Sequence, residues 1–341
     1  LEYLDCTIDE RDASYKNLLD ILNEEKILDD LDEILKLINK ISKNHYRCPD
    51  FFDKIDAILI YIEDKIKKSF TNLEIFNFFK NNKRILLTLF NRKIIEIDQT
   101  ILSLINNSSK NKYRSYKYYF FNEIKDKIDP GLKKSIEDEL LQKDPNIFDD
   151  FHEKCLAGEN DSIICSLIRN DSVEDFITYI NRYNIPNSMR IATSIFETNP
   201  MFICEEPTLI EYSVFYGSIE IFQYLKYNDV ALIPSLWEYS IHGRNPEIIH
   251  LLEENHVELK NYYNFLSYSI KCYHNEFANY ISDVYIDNNY INTNCASNDN
   301  NYINTNHASN DNNHSNTNYA SNDNTTTLQT NENLFSRLFN K

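Results

Sequence analysis

Glycine and proline are scarce in this sequence, which has four glycines and eight prolines in 341 residues. Both residues interrupt helices, whereas the abundant Ile, Leu, Lys, Glu and Asp are compatible with them. The composition therefore predicts helices joined by short connections. The scarcity of glycine also argues against a phosphate-binding loop, and no Rossmann, P-loop, serine-hydrolase or zinc-peptidase motif occurs,.

Cysteine pairs at metal-binding spacing are lacking. The seven cysteines are scattered, odd in number and contain no CxxC: Cys6, Cys48, Cys155, Cys165, Cys204, Cys272 and Cys295. This pattern predicts free thiols in a reducing, cytoplasmic compartment. No apolar run reaches the about 18 residues that a membrane helix needs. We therefore expect no membrane insertion, and the first residues show no signal-peptide pattern,.

Positive charge is in deficit, since the formal net charge is −18. An acidic surface repels nucleic-acid phosphates and anionic lipids. The charge therefore argues against both as general partners and leaves another protein as the expected one. The oligomeric state stays open at this level.

Residues 1–145 are predicted to form a helical domain. Between about Leu18 and Asn106, apolar residues recur at three- and four-residue steps, and acids and lysines fill the opposite positions,. Asp50 is a predicted N-cap, and Thr71 or Asn72 caps a later helix. Residues 107–115 are predicted as a loop. The sequence Asp-Pro-Gly at residues 129–131 predicts a turn, and a helix is predicted to follow over Leu132–Gln142,.

The last segment, residues 286–341, differs in composition. A 12-residue unit occurs three times between residues 289 and 324, without Lys or Arg and with few apolar residues. Such a segment cannot bury enough surface to offset the entropy lost on ordering. It is predicted to be a disordered, Asn-rich tail.

Residues 150–285 contain a longer repeat. "YSVFYGSIEIFQYL" starts at Tyr212, "YSIHGRNPEIIHLL" follows 27 residues later at Tyr239, and "YSIKCYHNEFANYI" follows after a further 29 at Tyr268. "SLIRNDSVEDFITYI" is a weaker copy upstream. Each unit reads as two short helices joined by a tight turn. A period near 30 residues is typical of a solenoid, in which stacked hairpins bury one another's apolar faces.

The unit at Tyr212 resembles the ankyrin repeat, which has small residues, a glycine turn and then Glu-Ile-Val. Over roughly residues 10–285, segments such as "NLEIFNFFKNNKRILLTLF", "PTLIEYSVFYGSIEIFQYL" and "SLWEYSIHGRNPEIIHLLEENH" resemble a protist family. In that family a helical domain of unknown function precedes degenerate ankyrin repeats. The resemblance implies an all-α architecture and no particular activity. Arg244 stands where ankyrin repeats place the turn glycine, which argues against a regular β-hairpin edge.

The resemblance also implies a concave face built from the first helix of each unit. Residues at equivalent outward positions, with their neighbours along the helix, are the expected partner-binding residues: Tyr212, Phe215, Tyr216, Tyr239, His242, Tyr268, Glu211 and Glu238. Tyrosine suits protein interfaces, and the two glutamates favour a basic partner. The alternative is that these rings pack between repeats, and the sequence leaves both open.

Other chemical groups do not assemble into a predicted site. His242, His250 and His256 are not expected to converge on a metal, and His152 with Cys155 lacks further ligands. Cys272 beside His274 lacks a third group to orient a nucleophile. We therefore predict no catalytic, cofactor or metal site. The rival interpretations are an enzyme or regulator with its site in the N-terminal helical domain, and a degenerate paralogue without a selected partner.

Overall fold

Helices are the regular elements of the computed structural model, which describes residues 1–24, 27–45, 48, 50–108, 116–259 and 261–283. Within these ranges no strand forms, and one isolated β-bridge joins Arg190 and Thr208. The all-α prediction is therefore confirmed there. The tail predicted at 286–341 and most of the loop predicted at 107–115 lie outside the described residues.

The N-terminal region is a series of short helices with a 3-10 turn at Ile27–Asp29. They are α1 (Glu2–Asp5), α2 (Arg11–Glu24), α3 (Leu31–Asn44), α4 (Phe51–Tyr61), α5 (Glu63–Ser69), α6 (Asn72–Phe79), α7 (Lys83–Asn91), α8 (Gln99–Asn106), α9 (Tyr116–Tyr119), α10 (Phe121–Ile124), α11 (Pro130–Lys143) and α12 (Phe151–Ala157).

Helix starts follow local chemistry. Thr71 caps α6 through a capping box with Glu74, which decides between the two predicted caps,. Asp50 is at the N-cap of α4 but makes no side-chain cap bond. Helix α11 begins earlier than predicted, because the Asp129 carboxylate accepts from the backbone N–H of Gly131 and Leu132 and Pro130 is tolerated in the first turn,.

The C-terminal region consists of helical hairpins. The helices are α13 (Ile163–Arg169), α14 (Val173–Arg182), α15 (Pro200–Cys204), α16 (Leu209–Tyr216), α17 (Ile219–Tyr227), α18 (Leu236–Gly243), α19 (Pro246–Glu254), α20 (Tyr262–Lys271) and α21 (Asn275–Ile281). Four hairpins result, α13–α14, α16–α17, α18–α19 and α20–α21. Each predicted unit, including the weaker upstream copy, is thus a pair of helices.

The hairpin turns repeat one backbone conformation. Asp171, Gly217, Arg244 and Tyr273 each have a positive φ, between 48° and 70°, at the position that ends the first helix. In three of the four turns the next N–H reaches back to a carbonyl five residues earlier, which satisfies the last turn of the helix,. Arg244 adopts the left-handed conformation although it has a Cβ.

Small residues permit close stacking of the first helices. Ser213, Ser240 and Ser269 occupy equivalent positions and are fully buried. Each hydroxyl donates to a backbone carbonyl of its own helix, those of Ile210, Trp237 and Phe265. The serines therefore combine a small volume with a satisfied polar group.

The two regions contact each other through α7. The Lys83 ammonium donates to the carbonyl of Ile195 in the C-terminal region. The neighbouring Arg84 guanidinium stays within the N-terminal region, where it donates to the carbonyl of Leu156 and pairs with the Asp56 carboxylate at 3.0 Å. Burial lowers the pKa of Lys83 to about 8,. The described residues of both regions belong to one compact unit, and the boundary near 145–150 stays a prediction.

A second contact joins the start of the chain to the last two hairpins. The Asp5 carboxylate lies 2.9 Å from the Arg244 guanidinium and 2.8 Å from Nε2 of His45, and Nδ1 of His45 lies 3.1 Å from the carbonyl of Cys272. Both ring nitrogens of His45 therefore face acceptors. Helices α1 and α3 are in this way tied to α18 and α20.

Candidate partner-binding face

The predicted partner-binding residues are mostly buried. Tyr212, Phe215, Tyr239 and His242 have 1–5% of their surface exposed. Glu211 is buried as well, at 5%. The expectation of outward positions is therefore wrong for these five residues, because other parts of the chain cover them. Of the remaining three, Tyr216 and Tyr268 are half-buried, and Glu238 is exposed.

The contacts of Tyr212 show why the prediction of an outward, exposed position is wrong. Its hydroxyl accepts a hydrogen bond from Nη1 of Arg169 at 2.9 Å, and Arg169 also pairs with Glu159 through Nε at 2.9 Å. Burial raises the pKa of Tyr212 well above its usual value,. Both the ring and its hydroxyl are thus used inside the protein, as the alternative interpretation of the sequence held.

Phe202 of the short helix α15 covers the aromatic rings. Its ring centroid lies 5.0 Å from that of Tyr212, 4.5 Å from Phe215, 6.3 Å from Tyr216 and 6.4 Å from Tyr239. These four rings come from α16 and α18, the first helices of successive hairpins. We call the four rings around Phe202 the aromatic cradle. Phe202 itself is 3% exposed.

Glu211 is a capping residue rather than part of an acidic edge. Its carboxylate accepts hydrogen bonds from the N–H and hydroxyl of Thr208 at 2.8 and 2.9 Å, and from the Ser235 hydroxyl at 2.7 Å. These bonds fix the start of α16 and connect it to the start of α18,. The carboxylate is therefore turned inward.

Two other carboxylates form an acidic edge beside the cradle. Glu205 and Glu238 are exposed. Burial raises the pKa of Tyr239, and the negative charges of Glu211, Glu205 and Glu238 raise it further, while Arg190 opposes them. Glu238 also contributes to the raised pKa of Tyr268, after burial and Cys272. We call Glu205, Glu238 and the rims of Tyr239 and Tyr268 the acidic edge.

His242 lies at the other end of the aromatic series. Its ring stacks on Phe215 with centroids 4.6 Å apart, and its Nε2 lies 3.1 Å from the Tyr268 hydroxyl and 3.9 Å from Sγ of Cys272. Burial raises the pKa of Cys272 to about 12. A thiol that holds its proton so firmly does not act as a thiolate nucleophile at neutral pH.

Two further histidines meet at the contact between the regions. The rings of His45 and His274 stack with centroids 5.5 Å apart, and Nε2 of His274 is buried without a hydrogen-bond partner. Burial and the nearby charge of Arg244 lower the pKa of His274 to about 3, so its ring is neutral,. Among the described residues no group of three or more His, Cys, Asp or Glu could hold a metal ion.

The remaining pairs considered from sequence do not assemble. His250 lies beside Glu253 of its own helix, and His256 is exposed in the following loop. Nδ1 of His152 lies 3.9 Å from Glu123, whereas Cys155 is buried against the carbonyl of Tyr119. None of these four groups converges with another on a common site.

Sequence reasoning missed Phe202 and Glu205. One signal was available, since Asp171 and Gly217 are 46 residues apart whereas the later turns follow at 27 and 29. The extra residues lie between α14 and α16 and include α15. A departure from the period thus marks the segment that covers the cradle.

Comparison of the chain with family models, with curated proteins and with solved structures gave no match. No helix within the described ranges combines the length and apolar character needed to cross a bilayer.

Proposed function

We propose that this protein recognises another protein, without catalysis, and that the acidic edge binds a basic segment of that partner. The observation that carries the proposal is the pair of exposed carboxylates, Glu205 and Glu238, beside the rims of Tyr239 and Tyr268. Both carboxylates act on the Tyr239 hydroxyl, so a Lys or Arg side chain placed there would be attracted by two negative charges beside the half-buried ring of Tyr268, a combination that favours cations,.

The hairpin architecture supports the same proposal. Four helical hairpins whose turns share a residue with positive φ, three of them with a buried serine at an equivalent position, fit an ankyrin-type stack of the degenerate protist kind. Such stacks use their surfaces for protein recognition. The unpaired thiols of Cys155, Cys165 and Cys272 fit a reducing, cytoplasmic setting,.

A peptide-binding assay tests the acidic edge. Fluorescence anisotropy would compare a labelled peptide of arginine and serine with one of glutamate and serine. We expect the arginine peptide alone to bind, and added salt to weaken it, because exposed charges are screened. Glu238→Gln and Glu205→Gln should each weaken binding about three- to fivefold, the effect of about 0.6–1 kcal/mol for an exposed ion pair.

Glu174→Gln is the matched control. Glu174 is exposed on α14, the second helix of the first hairpin, and its substitution changes the net charge by the same amount. If this variant weakens binding as much as Glu238→Gln does, binding follows total charge and the proposal is wrong. If neither the wild type nor any variant binds the arginine peptide, the result contradicts the proposal and favours the alternative of a degenerate paralogue without a selected partner.

A further inference from the structure

The segment between the first two hairpins has a firmly held base and an exposed tip. In the base, residues 193–199, the Glu197 carboxylate accepts from the N–H of Asn160 and of Asn199, and the N–H and hydroxyl of Thr198 both donate to the carbonyl of Gly158. All seven residues of the base are buried. The base is therefore part of the core.

The tip, residues 200–206, is attached by one inserted side chain and by hydrogen bonds to Asn199, Thr193 and Arg190. Met201 and Ile203 are half-buried, and Glu205 and Glu206 are exposed, whereas Phe202 is inserted among the rings of the cradle. The Thr193 hydroxyl reaches the carbonyl of Phe202 at 3.4 Å, and the Arg190 guanidinium reaches that of Glu206 at 2.6 Å. One inserted aromatic residue with half-exposed neighbours is also how an anchor residue of a bound peptide sits on its receptor.

We propose that the aromatic cradle is the pocket for an aromatic anchor residue of the basic partner, and that Phe202 fills this pocket in cis until the partner displaces it. The inference rests on the proposed function, because the acidic edge lies directly beside the cradle and Glu205 belongs to the tip. It adds the partner's chemistry, a segment that places an aromatic residue next to Lys or Arg.

Displacement of Phe202 has a predictable effect on affinity. A receptor whose pocket is free only part of the time binds with an apparent affinity reduced by that fraction. Phe202→Ala removes the cis occupant and leaves the four cradle rings in place. We expect it to bind a peptide of arginine, serine and one phenylalanine at least tenfold more tightly than the wild type does.

Three peptides separate this inference from the proposed function. The arginine peptide with alanine in place of phenylalanine should bind the Phe202→Ala protein and the wild type equally. A serine peptide with one phenylalanine and no arginine reports on the cradle alone. Met201→Ala, which alters the same tip and keeps Phe202 and the four cradle rings, is the control and should bind all three peptides as the wild type does.

Loss of the phenylalanine preference overturns the inference. If folded Phe202→Ala binds the phenylalanine and alanine peptides with the wild-type affinities, the cradle is not an anchor pocket, although an arginine-dependent signal would leave the acidic edge standing. If the arginine peptides do not bind but the serine–phenylalanine peptide binds Phe202→Ala more tightly than the wild type, the proposed function of the acidic edge is wrong. The inference that the cradle is an anchor pocket then still stands.

Hydrogen exchange covers the case in which Phe202→Ala does not fold. Saturating phenylalanine–arginine peptide added to the wild type should speed exchange of the amides of residues 201–203, because displacement of the tip breaks their hydrogen bonds to Asn199,. Unchanged or slower exchange there, with the peptide bound, contradicts the inference.

Discussion

Gly217 and Gly243 touch where the second and third hairpins stack. A Cβ on Gly217 would lie 2.6 Å from the carbonyl oxygen of Gly243, and a Cβ on Gly243 would collide with the carbonyl oxygen of Val214. Asn245 also donates from its side chain to the carbonyl of Gly217 at 2.9 Å. Backbone therefore packs directly on backbone, and no side chain is available to yield.

Gly243→Ala should consequently destabilise the fold strongly. We expect the free energy of unfolding to fall by about 3 kcal/mol, as for overpacked core sites that require backbone movement. Gly131→Ala is the control, because its Cβ would meet only the side-chain oxygen of Asp129 in the first turn of α11. Urea denaturation would measure both, and an effect of similar size for the two would contradict this account.

Two substitutions at Tyr212 distinguish the contribution of its ring packing to stability from that of its hydroxyl hydrogen bond. Tyr212→Ala leaves a cavity beside Phe202 and should lower the free energy of unfolding by about 3–5 kcal/mol. Tyr212→Phe removes only the acceptor for Arg169, and we expect a loss of about 1–2 kcal/mol,. Thermal denaturation of both variants would show the difference. A Tyr212→Ala protein as stable as the wild type would mean that the ring lies in solvent after all.

Much of the helical fold could be anticipated from the sequence. The helical period and the offset of 27 residues indicated the hairpins, because stripes of apolar residues and turn positions are local properties,. The start of α6 was predicted to within one residue, Thr71 or Asn72, for the same reason, and the capping box of Thr71 with Glu74 decides between them. The start of α11 differed from the prediction, because residues 129–131 have the sequence of a turn and also form the cap and first residues of the helix.

The candidate site was harder to anticipate, since burial depends on residues distant in the chain. Tyr212 and Tyr239 carry no local sign that Phe202 covers them. Glu211 and Glu238 each follow a Thr or a Ser by three residues, which is the capping-box pattern, yet only Glu211 forms the box,. The Ser235 hydroxyl donates to Glu211 instead of capping its own helix, and no local pattern indicates that contact. The contact between Asp5 and Arg244 spans 239 residues and leaves no periodic trace.

His274 predicts a dependence of stability on acid. Its pKa is about 3 in the folded protein and near 6.5 in the unfolded chain. The unfolded state therefore binds more protons between these values, and the free energy of unfolding falls as the pH is lowered through that window. We expect this residue to contribute a slope of about 1.4 kcal/mol per pH unit at pH 4–6.

His274→Phe isolates this contribution. The substituted ring can still stack on His45 and cannot take up a proton, so the stability curve should flatten between about pH 6 and pH 4. Asp5, Arg244, His45 and His242 also act electrostatically on His274 and are unchanged in the variant. Urea denaturation at several pH values provides the measurement. An acid slope equal to that of the wild type would exclude His274 as its source.

Asp5 acts in a lower pH window. Burial alone would raise the pKa of its carboxyl, but the hydrogen bonds and charges of His45 and Arg244 prevail and lower it to about 2. The stabilisation is present above pH 3.8 and disappears as the pH falls through about 2,. Because the carboxyl is partly exposed, Asp5→Asn should cost only about 1 kcal/mol at pH 7. Asp9→Asn, at an exposed position, is the control.

The two proteins should converge in stability as the pH falls below about 2, because the wild-type carboxyl is then protonated as well,. A difference between wild type and Asp5→Asn that persists at that pH would point to altered packing rather than to charge.

The bonds of Asp5 and His45 to the last two hairpins have a mechanical consequence. Their sequence separations of 239 and 227 residues make them a clasp between the two ends of the described fold. A force applied between residues 1 and 283 would pass through this clasp, so the chain between His45 and Arg244 would carry load only after the clasp had opened. Under such a load, the bonds of Asp5 and His45 would have to break before the helices from α4 to α17 were stretched.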